Sequence, residues 1–227
     1  VHYDLDEQVA ANADFDMESK IIRLLTDQVH NHLDRKVITE LVSASIWTTD
    51  QTGVSGTPST NQFKQWNDSA STPVLDVRKQ NDLIKQRTGR RANVFVIGAE
   101  VWTQLAQNAS LLDQFKYTGV QMLDEAMLAR AFGVERVVIA DAIKTTNQPG
   151  QTKATSFNLG KVAALLSVEA NPSMEAASAA YIFNWTGLNN ASVAGPQIRL
   201  IDMPEIAATR YEVQIAYDIK KTSALLG

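Results

Sequence analysis

The sequence predicts an α+β fold for a chain of 227 residues. Three observations lead to this prediction. A segment at 73–88 has helix start and stop signals and is followed by a short apolar run at 93–98. Apolar residues from 14 to 42 recur at helical spacing, and apolar and polar residues alternate from 207 to 219 as in a strand. A chain of this length can bury a substantial core in one large domain or two interleaved subdomains.

The helix at 73–88 is defined by residues at both of its ends. Thr72 is suited to cap the first turn, and Pro73 fits the first helical position, where no N–H is needed. Gly89 can adopt the left-handed conformation that closes a helix. The following run at 93–98 is β-branched and ends in glycine, which predicts a buried strand before helical spacing resumes at Val101.

A long helix is predicted between 14 and 42. Its apolar residues recur mostly every four positions, and each such step drifts about 40° around an ideal helix. The buried face must therefore migrate, and the helix either lies in a curved groove or breaks. Asp16, in the run Asp14-Phe15-Asp16, is interpreted as part of a helix cap, because a calcium loop would need a glycine and a glutamate that are absent. The polar segment 48–70 predicts an exposed loop, either an insertion or a contact arm to a neighbouring subunit.

The second half of the chain predicts one helix and several strands. The helix spans 122–132, and the loops fall at 145–151 and 189–196; the strands are expected at 137–140, 154–157, 161–168 and 180–185. Tyr181, Phe183 and Trp185 fall on one face of the last of these strands, which predicts core or sheet packing. The alternating segment 207–219 predicts one continuous strand of roughly 40 Å.

Composition excludes several classes of function. With 21 basic and 25 acidic residues the net charge is -4, which argues against a dedicated nucleic-acid binder. The absence of cysteine excludes disulfides, thiolate nucleophiles and Cys-based zinc sites. The chain has no apolar run of membrane-spanning length and no visible signal peptide.

No constellation of residues indicates catalysis. His30 and His32 are two positions apart on a helix and cannot converge on one metal or substrate, and His2 lies in a loosely patterned segment. The chain lacks a G-x-S-x-G nucleophile turn and a P-loop lysine motif. Asp76 and Asp82 are six positions apart, about 240° around a helix, so they do not face each other. We therefore expect no catalytic, cofactor-binding or metal-binding residues.

A family resemblance is carried by a lead-in, a helix end and a strand. The lead-in W-x-D-x-x-S-x-P is followed by the Thr88-Gly89 helix end and the strand VFVIG, and then by VWTQLAQNASLLDQFKY and LARAFGVERVVIADAI. This pattern resembles the major capsid proteins of tailed bacteriophages, which have the HK97 fold. The likeness covers most of 14–221. One departure is Arg91-Ala92-Asn93, where the family pattern leads us to expect Pro-Asn.

The resemblance implies a structural protein of the virion rather than an enzyme. It implies self-assembly into hexamers and pentamers of an icosahedral head around double-stranded DNA, built in the cytoplasm of a bacterial host. Partners would be further copies of the chain, scaffolding, portal and decoration proteins and nonspecifically bound DNA, with no membrane and no cofactor. A peripheral domain, with the long helix and long strands, is expected at 1–108 and 203–227, and an axial α/β domain at 109–202.

Three further expectations remain from the sequence. The chain starts at Val1, and in the resembled family an N-terminal arm and an extended loop precede the matching point, so we expect poor assembly of this chain by itself. An encapsulin-type nanocompartment shell shares the fold and is not separated by sequence periodicity. A small α/β enzyme using carboxylates such as Asp76 and Asp82 is the alternative from a different class.

Overall fold

The computed structural model describes residues 1–43, 45–116, 123–148, 150–173, 175–187 and 195–227. It has an α+β architecture, as predicted. The α-helices are α1 Glu7–Asn12, α2 Met17–Leu41, α3 Pro73–Thr88, α4 Ala99–Ala106, α5 Ala109–Phe115 and α6 Glu125–Phe132. The strands are β1 His2–Asp6, β2 Thr52–Val54, β3 Gln62–Lys64, β4 Val94–Gly98, β5 Arg136–Ala140, β6 Ile143–Thr145, β7 Thr155–Phe157, β8 Ala163–Leu166, β9 Ala180–Asn184, β10 Gln197–Met203, β11 Ala208–Gln214 and β12 Tyr217–Lys221. Within the described ranges, no helix is long and apolar enough to cross a membrane.

The chain divides into two compact units. Unit 1 comprises Val1–Val37 and Ile182–Lys220, and unit 2 comprises Ile38–Tyr181 and Lys221–Gly227. The predicted peripheral domain (1–108 with 203–227) and axial domain (109–202) are defined by position in an assembled shell, and that division stays a prediction.

Unit 1 is a three-stranded antiparallel sheet packed on α2. The strand order is β1-β11-β10, and the core contains Leu5, Ile21, Leu25, Val29, Tyr211 and Val213. The long predicted helix is confirmed, although its buried stripe begins at Ile21 and leaves Ile22 half-buried. Helix α2 begins at Met17 because the Asp16 carboxylate accepts a hydrogen bond from the Ser19 amide at 3.2 Å, which confirms the predicted cap.

The prediction of one continuous strand over 207–219 is wrong. The segment forms β11 and β12, which pair with β10 and β9 respectively. Between them the Trp185 amide donates to the Ala216 carbonyl at 3.0 Å, so the change of partner takes place at 215–216. Ala216 is also the residue that interrupts the apolar alternation. The predicted buried face itself is confirmed, because Tyr211, Val213 and Ile219 are all buried.

Unit 2 is built around a second three-stranded sheet. In the order β5-β4-β8, β4 runs parallel to β5 and antiparallel to β8. The Phe95 ring meets the Phe132 ring edge-on with centroids 5.1 Å apart, and Leu105, Leu111 and Leu128 are fully buried around them. The predicted strands at 93–98 and 137–140 are thus confirmed as the centre of this core.

Helix α3 has the predicted bounds, but one of its end signals acts differently. The Thr72 side chain makes no capping hydrogen bond. The backbone carbonyl of Thr72 accepts a hydrogen bond from the Asp76 amide at 3.0 Å, the first bond of the helix. Gly89 has a φ of 74°, and its amide donates to the Lys85 carbonyl at 2.8 Å, as the left-handed closure requires. Gly98 lies where the backbone is crowded, since a Cβ there would be 2.0 Å from the Gly160 carbonyl oxygen.

Several segments differ from their predicted state. The segment 48–70, predicted as a loop, contains the parallel pair β2 and β3. By contrast, the loop predicted at 145–151 is confirmed, because its described residues after Thr145 connect β6 to β7. The loosely patterned segment around His2, before Ala13, contains β1 and α1, and β10 was not predicted. Helix α6 starts at Glu125, where the Asp124 side chain caps it, rather than at 122. Of the loop predicted at 189–196, positions 189–194 lie outside the described residues.

Candidate assembly surface

The sheet of unit 1 leaves two apolar side chains uncovered on its β10 edge. Ile198 lies directly opposite Val213, and Leu200 lies directly opposite Tyr211. Directly opposed residues of antiparallel strands point to the same face of the sheet. Val213 and Tyr211 are only 1% and 2% exposed, whereas Ile198 and Leu200 are 50% and 57% exposed. The α2 side chains of the core therefore cover the central strand and leave its β10 neighbour open.

Two apolar residues at positions 1–3 lie on the same face of the sheet. Tyr3 lies opposite Tyr211, and Val1 exchanges two backbone hydrogen bonds with Val213, at 2.9 and 3.1 Å. Tyr3 and Val1 are 42% and 56% exposed. On the α2-facing side of this sheet, the centre is therefore buried, while Ile198 and Leu200 of β10 and Val1 and Tyr3 are partly exposed apolar residues.

The opposite face of the sheet carries charge. The Arg210 guanidinium donates to both carboxylate oxygens of Asp4, from Nε at 2.6 Å and from Nη2 at 2.8 Å. This paired hydrogen bond holds the pKa of Asp4 below its usual 3.8. Arg199 of β10 lies opposite Glu212 of β11, and His2 of β1 lies opposite Glu212 on the other side. The charged face thus fixes β1 on β11 and presents Arg199 at the β10 edge.

Of the aromatic side chains at and just after β9, two are exposed. Phe183 and Trp185 are 55% and 65% exposed, and only Tyr181 is half-buried, with its hydroxyl donating to the Ala176 carbonyl at 2.8 Å. Of the predicted core or sheet packing, the core alternative is therefore wrong for Phe183 and Trp185. Alternation along a strand determines which side chains share a face, but it does not determine what covers that face.

Unit 2 has its own exposed apolar pair on the hairpin of β6 and β7. Ile143 lies opposite Phe157, and their side chains are 54% and 37% exposed. A two-stranded hairpin with an uncovered apolar face is only marginally stable in water. A neighbouring surface that covered this face would therefore stabilise the hairpin.

Unit 2 also contains a groove of about 1210 Å³ between α3, α4, β8 and the segment that holds β2 and β3. Trp47, Phe63 and Trp66 contribute aromatic surface to the groove. The Trp66 Nε1 donates to the Asp76 carboxylate at 3.2 Å, while partial burial raises the pKa of Asp76 above its usual value. The lining has acids and cations but no histidine. Asp76 therefore holds an indole in place, which is a structural task.

The structure does not bring the candidate enzymatic residues together. Asp82 is exposed and pairs with Arg91 at 3.7 Å, whereas Asp76 bonds Trp66. All three histidines are exposed. In the part of the chain that the structure describes, no group of three or more His, Asp or Glu side chains could hold a metal ion. The expectation of no catalytic, cofactor-binding or metal-binding residues stays a prediction.

Sequence reasoning missed both outer strands of the unit 1 sheet, β1 and β10. In β1, Tyr3 and Leu5 alternate with polar residues, a signal that the shortness of the strand weakened. In β10, the alternation of Ile198, Arg199 and Leu200 is interrupted by Ile201, which follows Leu200 directly. Both alternating patterns are too short to predict a strand by themselves. Only the pairing of β1 and β10 with β11 shows that these segments are strands.

Two comparisons with known proteins point to major capsid proteins, and a third shows a shared fold. The model of the family described as major capsid protein Gp23 matches residues 3–132. The major capsid protein of Burkholderia phage BcepMu is 26% identical over 91 residues, a match that covers 40% of this chain and only 30% of that protein. The crystal structure of a phage-related protein from Bordetella bronchiseptica RB50 superposes with a TM-score of 0.81 at 16% identity, covering 100% of this chain and 72% of that one, which shows a shared fold. Because the family model matches more than half of the sequence, the chain belongs to the Gp23 major capsid protein family.

Proposed function

We propose that this chain forms the shell of a tailed-phage head as an HK97-like subunit, assembling into hexamers and pentamers around double-stranded DNA. The observation that carries the proposal is the match of the Gp23 major capsid protein family over residues 3–132. The fold shared with a phage-related protein over the full length of the chain supports it.

Exposed apolar surface in both units supports a role in self-association. In unit 1, Trp185 and Leu200 are more than half exposed, and in unit 2 Ile143 is too. Large apolar side chains on the surface are stabilised when another surface covers them, at about 25 cal/mol per Å² of apolar area removed from water. In a closed symmetric shell each subunit repeats such contacts with several neighbours, so modest contacts add up.

Within that shell, residues 1–108 and 203–227 would form the peripheral domain and residues 109–202 the axial domain around the five- and six-fold axes. The net charge of -4 suits a wall that does not clamp the enclosed DNA, so DNA contact would be weak and nonspecific. Scaffolding, portal and decoration proteins would be further partners, and the shell would be built in the bacterial cytoplasm before it becomes part of the virion.

Electron microscopy of the complete protein, purified after expression in bacteria, tests this proposal. We expect closed particles with five-fold and six-fold clusters of subunits. Particles recovered from a phage infection should contain double-stranded DNA, whereas an enzyme cargo in place of DNA would indicate a nanocompartment. A complete protein that stays a monomer at every concentration and salt condition would contradict the assembly itself.

The variant Trp185→Ser provides a folding-neutral probe of the same proposal. Trp185 is 65% exposed, so its loss should leave the unfolding midpoint of the subunit unchanged. If Trp185 contacts a neighbour in the shell, the variant should raise the protein concentration needed for particle formation. The matched control is Tyr211→Ser, which removes a buried aromatic ring from the core and should lower the unfolding midpoint itself.

A further inference from the structure

The β10 strand is an edge of the unit 1 sheet that no described strand covers. It pairs with β11 without interruption from Gln197 opposite Gln214 to Met203 opposite Ala208, and it ends the strand order of its sheet among the described residues. Soluble proteins usually protect such an edge with proline, lysine or a bulge. The seven residues QIRLIDM contain neither proline nor lysine and form no bulge. This edge is therefore suited to accept another strand.

Hydrogen bonding within the sheet identifies the backbone groups that β10 offers to a further strand. Val213 exchanges two backbone hydrogen bonds with Val1, so its N–H and C=O point away from β10. Because successive residues of a strand alternate in this direction, the backbone groups of Glu212 point toward β10, where Arg199 is the partner. The alternate residues of β10 therefore direct their N–H and C=O groups outward, and these are Ile198, Leu200 and Asp202.

Two prolines bound this outward-directed set of groups at equal distances. Pro196 and Pro204 lie four residues before and four residues after Leu200, and neither has an N–H to donate. The described residues provide no backbone partner for the three outward-directed residues between the prolines. The available donors and acceptors are therefore arranged symmetrically about Leu200. A second copy of β10 in the antiparallel direction has the matching length and spacing.

We infer that β10 pairs with β10 of a second copy about a two-fold axis at Leu200, so that two neighbouring subunits of the shell share one continuous antiparallel β-sheet. This inference rests on the proposed self-assembly. Leu200 would lie opposite Leu200 of the second copy, and Ile198 would lie opposite Asp202 on each side of the axis. All three outward-directed residues of both copies would then be hydrogen-bonded, and α2 of both copies would lie on the same side of the sheet.

Charge, hydrogen bonding and burial favour this register over its neighbours. A shift of the axis by one residue to Arg199 would place two guanidinium groups directly opposite each other, which is destabilising. A shift by one residue to Ile201 would place Ile198 opposite Pro204, which cannot donate a hydrogen bond. With the axis at Leu200, a side chain that is 57% exposed in the subunit packs against its own copy and is removed from water.

The size of this contact suits a junction within a larger assembly. A contact between two seven-residue strands involves few side chains and lies below the roughly 1,200 Å² of a stable protein–protein interface, so the dissociated subunit should stay monomeric. A shell with five- and six-fold clusters also has two-fold axes between the clusters, and a contact of one surface with itself fits such an axis. Although 197–202 falls in the range predicted for the axial domain, β10 belongs to unit 1 with α2 and β11, which the same prediction assigns to the peripheral domain. The β10 junction would therefore join neighbouring clusters.

Disulfide trapping can test the position of the two-fold axis because the chain has no cysteine. In the Leu200→Cys variant of the complete protein, the cysteines of two copies would lie opposite each other with Cα atoms about 5.5 Å apart, within reach of a disulfide. Ile198→Cys is the matched control, since Ile198 is similarly exposed on the same face of the same strand. Its two copies would be four residues apart along the strand, about 14 Å, which is beyond the disulfide limit of about 7 Å.

Particles of Leu200→Cys treated with the oxidant diamide should contain a covalent dimer of twice the single-chain mass, and particles of Ile198→Cys should not. Particles of an equal mixture of Ile198→Cys and Asp202→Cys should form the dimer, because these positions lie opposite each other across the axis. Equal cross-linking of Leu200→Cys and Ile198→Cys would overturn the inference, as would intact Leu200→Cys particles that stay uncross-linked. In both cases the proposed shell function would stand, because the particles themselves had formed.

Hydrogen exchange in wild-type particles keeps the inference testable if the cysteine variants assemble poorly. The amides of the outward-directed residues, Ile198, Leu200 and Asp202, should exchange more slowly in particles than in the dissociated subunit. The amides of Arg199 and Ile201, which already bond to β11, should change little and serve as the internal control. Unchanged exchange of the outward-directed amides in intact particles would overturn the inference. A wild-type protein that forms no particles would contradict the proposed function itself, and the inference with it.

Discussion

Val213 allows the clearest separation of folding from assembly, because it is buried while its sequence neighbour lies on the opposite face. Val213 is 1% exposed and packs in the unit 1 core with Leu25 and Val29 of α2. Val213→Asp loses the burial of the valine side chain, about 2 kcal/mol, and places a carboxyl group without a hydrogen-bond partner among apolar side chains. The second effect costs about 2 kcal/mol or more, even if the group is protonated.

The total loss of about 4 kcal/mol is a large share of the 5–15 kcal/mol that stabilises an ordinary domain. We therefore expect little soluble Val213→Asp protein and, for any recovered, a urea midpoint well below that of the wild type. The intermediate variant Val213→Ala should cost about 2 kcal/mol, since it removes two methyl groups and leaves a small cavity.

Gln214→Asp is the matched control. Gln214 is half-buried on the charged face, opposite Gln197 at the β10 edge. The exchange of one polar side chain for another there should change the free energy of unfolding by less than about 1 kcal/mol. Circular dichroism and urea titration of the three variants measure these differences. If Val213→Asp folded as stably as Gln214→Asp, the register of β11, or the packing of α2 on it, would be wrong.

Three other predictions concern single contacts. Gly98→Ala should destabilise unit 2 by at least about 2 kcal/mol, because the added Cβ would lie 2.0 Å from the Gly160 carbonyl oxygen. Gly160→Ala is its control: a Cβ added there would have no atom within 4 Å, so thermal unfolding should hardly change. Asn108→Ala should lower the free energy of unfolding by about 2 kcal/mol in urea titration. The buried Asn108 side chain caps α5 by accepting from the Leu111 amide at 3.2 Å, and it donates to the Trp66 carbonyl at 2.9 Å. An unchanged urea midpoint would mean that other groups replace these hydrogen bonds. Arg210 holds the pKa of Asp4 below 3.8 in the folded protein. The stability that this ion pair contributes is therefore present above pH 3.8 and is lost as the pH falls through the lowered pKa of the folded state. Asp4→Asn should therefore flatten the decline of the melting temperature below about pH 4. An identical decline in the variant would rule out this linkage.

Local sequence was sufficient where an element is defined by its own residues. The bounds of α3 were predicted correctly because Pro73 can only start a helix and Gly89, at a φ of 74°, readily ends one. The strand β4 was predicted because a short β-branched run that ends in glycine has few alternatives to a buried strand. These signals act over one turn or one peptide, so they do not depend on the rest of the fold.

Tertiary structure decided which apolar faces are covered and which strands pair. The segment after Ala207 alternates as one strand, yet it changes partner at Ala216, a change that depends on β9 and β10, which precede it in the chain. Leu200 belongs to a pattern that would fit a core, but in the subunit it stays exposed because α2 covers only the central strand of its sheet. Trp185, which directly follows β9, is also exposed. The sequence by itself therefore determined the helix ends and the faces of the strands. Burial depends on what lies against each face, and only the packed structure shows which apolar faces remain for a neighbour to cover.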